Sequence, residues 1–213
     1  MTNIIRVISI DNETTALNHI VGHAWAIGIA WTDYPLGHVI GTVYKQPICH
    51  ELIEIAIPKQ WWDGETFRFC MKHNSTRLNE LMVKAAQHEQ EHGAFDSFEA
   101  VELYIQDQAA AKLRDIVQNL IRGLGKEDYI VVFNHPDFDV PFLQKIWPGF
   151  KDQGFYYRNI KDMQSLIEGH LGRLQANQYL KASKEAMGGV KHSASDDAID
   201  QLKTLIRSGA IKK

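Results

Sequence analysis

Ile4-Ile5-Arg6-Val7-Ile8-Ser9-Ile10-Asp11-Asn12-Glu13-Thr14 opens the chain, and its reading decides the rest. Residues 4–10 are short, rich in β-branched side chains and interrupted at Asp11, which is the pattern of a buried strand. Asp11 and Glu13 stand at its carboxyl end. Residues i and i+2 of an extended segment point to one face, so both carboxylates reach the same site. Ligands of α/β sheets gather beyond the carboxyl ends of strands. Two adjacent carboxylates placed there repel each other, and a divalent cation relieves the repulsion.

Spacing alone is weak, since an Asp-x-Glu triplet arises by chance roughly once in such a chain. Asp63-Gly64-Glu65-Thr66 repeats the pattern, down to the threonine. It follows Trp61-Trp62 at a loop-to-helix transition, so it reads as a solvated turn or helix cap.

Outward from the first strand, residues 24–32 form a second apolar run with Gly28 in its middle. Residues 39–44 and 52–57 suggest a hairpin around Pro47, closed by Pro58. Residues 61–92 turn helical, with Leu78, Leu81, Met82 and Ala85 at helix spacing and Gly93 as the stop. Asp96 with Glu99 resembles a capping box opening a long helix to about Arg122. Its apolar stripe is Phe98, Val101, Ile105, Ala109, Leu113, Ile116 and Leu120. Residues 129–133 form another apolar strand, and an amphipathic helix covers residues 195–207. The first strands are joined too tightly for helical crossovers and a long helix precedes the last one, which predicts a mixed α/β sheet flanked by helices.

The chain has 213 residues and 45% hydrophobic content, enough for a single domain over residues 1–213. The formal charge of −3 counts against a large electrostatic grip on duplex. It counts less against an enzyme that binds phosphates through metal ions. Cys49 and Cys70 offer neither a disulfide framework nor a zinc motif and are expected as small buried hydrophobes. No signal peptide or membrane-length apolar run is visible, so a cytoplasmic protein without membrane contact is expected.

Two further motifs carry chemistry. After residues 129–133 comes Asn134-His135-Pro136-Asp137-Phe138-Asp139-Val140-Pro141-Phe142-Leu143, which puts Asp139 in the first turn of a helix. Capping by Asp137 or Asp139 is an equally good explanation of that segment alone. Near the end, His192-Ser193-Ala194-Ser195-Asp196-Asp197-Ala198 follows Gly188-Gly189 and sets a histidine five residues before an aspartate that opens the last helix. A surface histidine beside capping acids explains this motif taken singly.

Together the three motifs resemble those of the DEDDh, or DnaQ-like, 3′-5′ exonucleases: Asp-x-Glu-Thr, then Asn-x-x-x-Phe-Asp-x-x-Phe-Leu, then His-x-x-x-x-Asp-Ala. The branch with tyrosine four residues before the last aspartate does not fit, because Ser193 stands there. The resemblance implies a ribonuclease H-like, mixed five-stranded sheet flanked by helices. It also implies metal-dependent removal of nucleoside monophosphates from the single-stranded 3′ end of DNA or RNA. Asp11, Glu13, Asp139 and Asp197 would hold two Mg²⁺ or Mn²⁺ ions, and His192 would be the general base. Thr14, Thr15, Leu17, Asn134 and Phe138 match substrate-side positions. Lys181, Lys184, Lys191, Arg158 and Lys161 could form a modest phosphate rim, although solvated helix faces suit most of them better. Asp162 is given no catalytic role. The helical insertion of residues 61–93, before the long crossover helix, is loosely similar to the phage exonuclease A-like group.

A rival class comes from His88-Glu89-Gln90-Glu91-His92, the zinc metallopeptidase helix signature. Gln90 and Glu91 are polar where that helix buries uncharged residues, and Gly93 ends the helix at once. A silent nucleic-acid-binding module is the other alternative, but it has no need of four converging carboxylates. The oligomeric state is not readable.

Overall fold

The computed structural model describes residues 4–36, 46–186 and 193–211. Five strands, β1 (Ile4–Thr14), β2 (Ala24–Pro35), β3 (Cys49–Glu54), β4 (Tyr129–Phe133) and β5 (Ile160–Asp162), form one sheet in the order β3-β2-β1-β4-β5. β1 is antiparallel to β2 and β2 to β3, whereas β1, β4 and β5 run parallel. The sheet is therefore mixed, with the tightly joined strands at its antiparallel end.

Among the described residues seven α-helices accompany it: α1 (Gly64–His92), α2 (Phe98–Ile121), α3 (Pro136–Ile146), α4 (Phe150–Gln153), α5 (Met163–Leu171), α6 (Arg173–Ala186) and α7 (Ala194–Ser208). Strand alternation divides β1 between two cores. Ile8 and Ile10 join Ile27, Ile29, Val131 and Phe133 against Val101, Ile105 and Leu113 of α2 and Phe142 and Leu143 of α3. Val7 joins Ala30 and Val132 against Leu202 and Leu205 of α7 and Ile167 of α5. Each of these fully buried aliphatic side chains contributes about 1.5–3 kcal/mol relative to exposure, as an upper estimate. These two layers of packing fix which face of β1 meets which helix.

Several boundaries differ from the sequence expectation. β1 continues through Glu13 instead of stopping at Asp11, because β2 goes on pairing with it: Asp11 opposite Gly28, Glu13 opposite Ala26. The third strand is Cys49–Glu54, earlier than residues 52–57, and it leaves Cys49 exposed while Cys70 is buried. Residues 39–44, expected as the other arm of a hairpin, lie outside the described residues. The fifth strand is instead Ile160–Asp162, which the sequence reading passed over.

The cap of α2 is Ser97, whose hydroxyl accepts from the Ala100 N–H at 3.1 Å, one residue beyond the expected Asp96. On α2 it is Val117, not Ile116, that is fully buried. No helix among the described residues is long and apolar enough to cross a membrane.

Candidate active site

Alternation along β1 turns Ser9, Asp11 and Glu13 toward α7, while Asn12 turns toward α3. Asp197, in the first turn of α7, meets the two strand carboxylates: one oxygen from each of Asp11, Glu13 and Asp197 lies within 4.8 Å of the others. This approach depends on a glycine. A Cβ on Gly28 would lie 1.9 Å from the carbonyl oxygen and 2.1 Å from the carbonyl carbon of Ala194. Only a bare backbone at the position opposite Asp11 lets the start of α7 sit this close to the sheet.

Asp139 arrives from the other side. His135 occupies the N-cap of α3 without a side-chain capping bond, and Pro136 follows. Asp139 is thus not the cap of its helix. It is 4% exposed, and the Asn12 side-chain amide donates to its carbonyl oxygen at 3.0 Å, tying the start of α3 to β1.

Burial and neighbouring carboxylates raise the pKa values of Asp11 and Glu13, and burial raises that of Asp139. Burial, then Asp139, Asp197 and Glu13, hold Asp11 well above the usual carboxylate range, and a hydrogen bond from Gln201 opposes them. Glu13 is pushed up to about 7 by burial, with Asp197 and Asp139 adding to it. Asp139 is pushed up to about 7 by burial, against hydrogen bonds from the backbone of Asn12 and His135. Close, oxygen-only donors that are costly to ionise fit a hard divalent cation, which would restore the charge balance.

The substrate-side candidates divide. Thr14 and Thr15 are buried and bonded within their own loop: the Thr14 hydroxyl donates to the Ala16 carbonyl at 3.0 Å, and the Thr15 hydroxyl accepts from the His23 N–H at 3.0 Å. The Asp63 N–H donates to the Thr15 carbonyl at 2.9 Å, joining this loop to the start of α1. Leu17 is 80% exposed and lines a cavity of about 650 Å³ with Val21, Phe69 and Asp63. Asn134 lines a second cavity, of about 380 Å³, with Asp11, Asp197 and Lys184. Phe138 is half-buried against Phe142, with ring centroids 5.1 Å apart. Of the expected basic rim, Lys184 reaches that second cavity. Arg158 lies over the Tyr157 ring and donates to its hydroxyl. Lys191 and His192 fall outside the described residues.

The decoys behave as capping and solvated groups. The Asp63 carboxylate accepts from the backbone N–H groups of Glu65 and Thr66 and caps α1. Asp162 caps α5 by accepting from the Ser165 N–H. His88 stacks against Phe95 and Tyr104, and Glu89 accepts from the Gln60 amide. Among the described residues, the acidic trio is the only His, Cys, Asp or Glu group close enough to hold a metal. Two residues that matter to the site were missed, Gln201 and Gly28. Gln201 had a legible signal, standing one helical turn after Asp197. Gly28 was a glycine inside a strand pattern, which marks close approach of another backbone.

A mixed sheet carrying this acidic centre on its middle strand is the framework of the ribonuclease H-like nucleases. Residues 52–207 match the family model described as the 3′-5′ exoribonuclease Rv2179c-like domain, so the chain belongs to that family. β1, with Asp11 and Glu13, precedes the matched stretch. Among solved structures, the nuclease domain of 3′hExo, a DEDDh family member bound to rAMP, has a TM-score of 0.57. It is 11% identical, with 97% of this chain and 91% of that chain covered, a likeness of fold. No curated protein sequence matches the chain. The protein is a 3′-5′ exonuclease of the Rv2179c-like family.

Proposed function

We propose that this exonuclease removes ribonucleoside monophosphates stepwise from the 3′ end of single-stranded RNA. Asp11, Glu13, Asp139 and Asp197 would hold two Mg²⁺ or Mn²⁺ ions, and His192 would be the general base. The observation that carries this reading is the convergence of Asp11, Glu13 and Asp197 beside buried Asp139. A phosphodiester is cleaved when a water is deprotonated and the charge on the phosphoryl and leaving oxygens is stabilised. Divalent ions held by these carboxylates would supply Lewis acidity toward the water and those oxygens.

The chain's own residues do the rest. Asp11 feels the charge of all three other acids and would be the central ligand of the metal centre. Glu13 and Asp197 would complete its ligand set, and Asp139, on α3, would support it from the opposite side of β1. His192 takes the proton from the attacking water; an imidazole titrating near ~6.5 does so at neutral pH without unusual tuning. The amino end of α7, where Asp197 lies, adds a positive dipole end that favours anions. Leu17 and Phe69 offer an apolar wall to the terminal base. Thr14 and Thr15 shape the loop below it. Asn134 and Lys184 line the cavity that receives the phosphate, and Phe138 backs the second motif.

The test is a time course on 3′-labelled and 5′-labelled single-stranded RNA and DNA with Mg²⁺ or Mn²⁺. Expected are immediate release of labelled mononucleotide from the 3′ label, a shortening ladder from the 5′ label, and faster digestion of RNA. Mononucleotide from the 5′ label first, or internal cuts, would overturn the reading; faster digestion of DNA would overturn its RNA clause.

A further inference from the structure

Gln201 stands one turn beyond Asp197 on α7, and both face β1. Its side-chain Nε2 donates to Asp11 Oδ1 at 2.6 Å, and its Oε1 accepts from the Ser9 hydroxyl at 3.1 Å. Ser9 is fully buried and lies two residues before Asp11, on the same face of the strand. Three side chains from β1 (Ser9, Asp11, Glu13) thus meet two from α7 (Asp197, Gln201).

We propose that Gln201 is a positioning residue of the metal centre: its amide, oriented by Ser9, fixes the Asp11 carboxylate in the direction of Glu13 and Asp197. The proposal rests on the metal-binding role given above to Asp11. An ionised carboxylate only accepts hydrogen bonds, so the amide must turn its NH₂ to Asp11 and its oxygen to Ser9. Ser9 then has a single useful orientation, with its hydroxyl donated to Oε1. The result is a relay, Ser9 to Gln201 to Asp11, in which each member sets the next.

The residue type follows from the same chemistry. A lysine would bring a second cation beside the metal. A glutamate would add a further negative charge to a group already carrying several. An aliphatic side chain would leave the buried Ser9 hydroxyl and one Asp11 oxygen without partners. Glutamine supplies a donor and an acceptor with no net charge. Partners of this kind behind a metal ligand are worth about 10–100-fold in metal affinity, because the ligand no longer has to be ordered when the ion binds.

The experiment is calorimetric titration of the full chain with Mn²⁺, without substrate, for wild type, Gln201→Met, Ser9→Ala and the double variant. Gln201→Met keeps length and volume while removing both hydrogen bonds. It is expected to weaken Mn²⁺ binding about 10–100-fold. Ser9→Ala is expected to weaken it less, and the double variant no more than Gln201→Met alone, since Ser9 acts through Gln201. Thermal melts in EDTA separate this from a structural role, which would lower Tm in the absence of metal and leave the Mn²⁺ affinity unchanged. Unchanged affinity in Gln201→Met overturns the proposal. Should that variant not fold, Ser9→Ala decides in the same way. If wild type binds Mn²⁺ but releases no mononucleotide from the 3′ end of RNA, the proposed RNA-degrading function fails while this inference is still judged by the variants.

Discussion

The chain carries Asp-x-Glu-Thr twice, and the two copies have opposite surroundings. Asp11 and Glu13 lie on the middle strand of the sheet, with α7 on one side and α3 close by, and their carboxyl groups are pushed toward the neutral form. Asp63 and Glu65 lie at the first turn of α1. There the Asp63 carboxylate accepts from Thr66 and Glu65 and is held below the usual carboxylate range. The difference teaches that the triplet has no chemistry of its own. Extended backbone projects both acids to one face, where α7 can add a third. A helix start turns the first acid back onto its own N–H groups, and that acid is spent as a cap.

The largest expected effect separates the copies outright. Asp11→Ala with Glu13→Ala is expected to lower the rate of 3′-end digestion by at least about 10³-fold, since the reacting oxygens lose their charge stabilisation. Residual activity within tenfold of wild type would break the comparison.

Second in size is Gly28→Ala. The added methyl group meets the Ala194 backbone and must push the start of α7 away, taking Asp197 with it. Destabilisation of about 1–3 kcal/mol is expected from the overpacking. A fall in activity of about 10²-fold is expected from the displaced Asp197 carboxylate. A melt and a rate assay on the same preparation check both.

Third is pH, where the two copies pull in opposite directions. Glu13 and Asp139 titrate at about 7 in the folded chain, against about 4 when unfolded. Between those values the folded state holds more protons, so metal-free stability falls as pH rises from about 4 to 7 and then levels off. Asp63, with its pKa lowered, contributes stability above its unfolded pKa of about 4 and loses it as pH falls through its folded value. Melting curves in EDTA should show Tm decreasing from pH 5 through 7 and flattening by pH 8, and Mn²⁺ should reverse the trend by binding the deprotonated site. A Tm independent of both would contradict the electrostatic account. The smallest effect is that of Asp63→Ala: a slight fall in Tm, with the Mn²⁺ affinity of wild type.

Much of this was legible from residue order. The β-branched run ending in acids located β1, the apolar stripe located α2, and the third motif located Asp197 at the start of α7. What was not legible depended on contacts between distant segments. β5 is three residues long, so no periodicity could announce it, and it exists because β4 offers it a parallel edge. Ser97 displaced Asp96 as the cap because backbone geometry, not side-chain acidity, chooses the capping residue. Val117 displaced Ile116 because the accumulated helical phase, not the count by threes and fours, decides which side chain faces the core. Gly28 and Gln201 needed α7 docked on the sheet before their roles existed.

The central claim is that one copy of the motif binds a divalent cation and the other does not. Manganese titration followed by electron paramagnetic resonance, on wild type, Asp11→Asn and Asp63→Asn, tests it most directly. The account predicts that Asp11→Asn weakens Mn²⁺ binding by at least about 10²-fold, in line with loss of a direct ligand beyond the outer-partner range, and that Asp63→Asn matches wild type. Equal affinity in wild type and Asp11→Asn would contradict it.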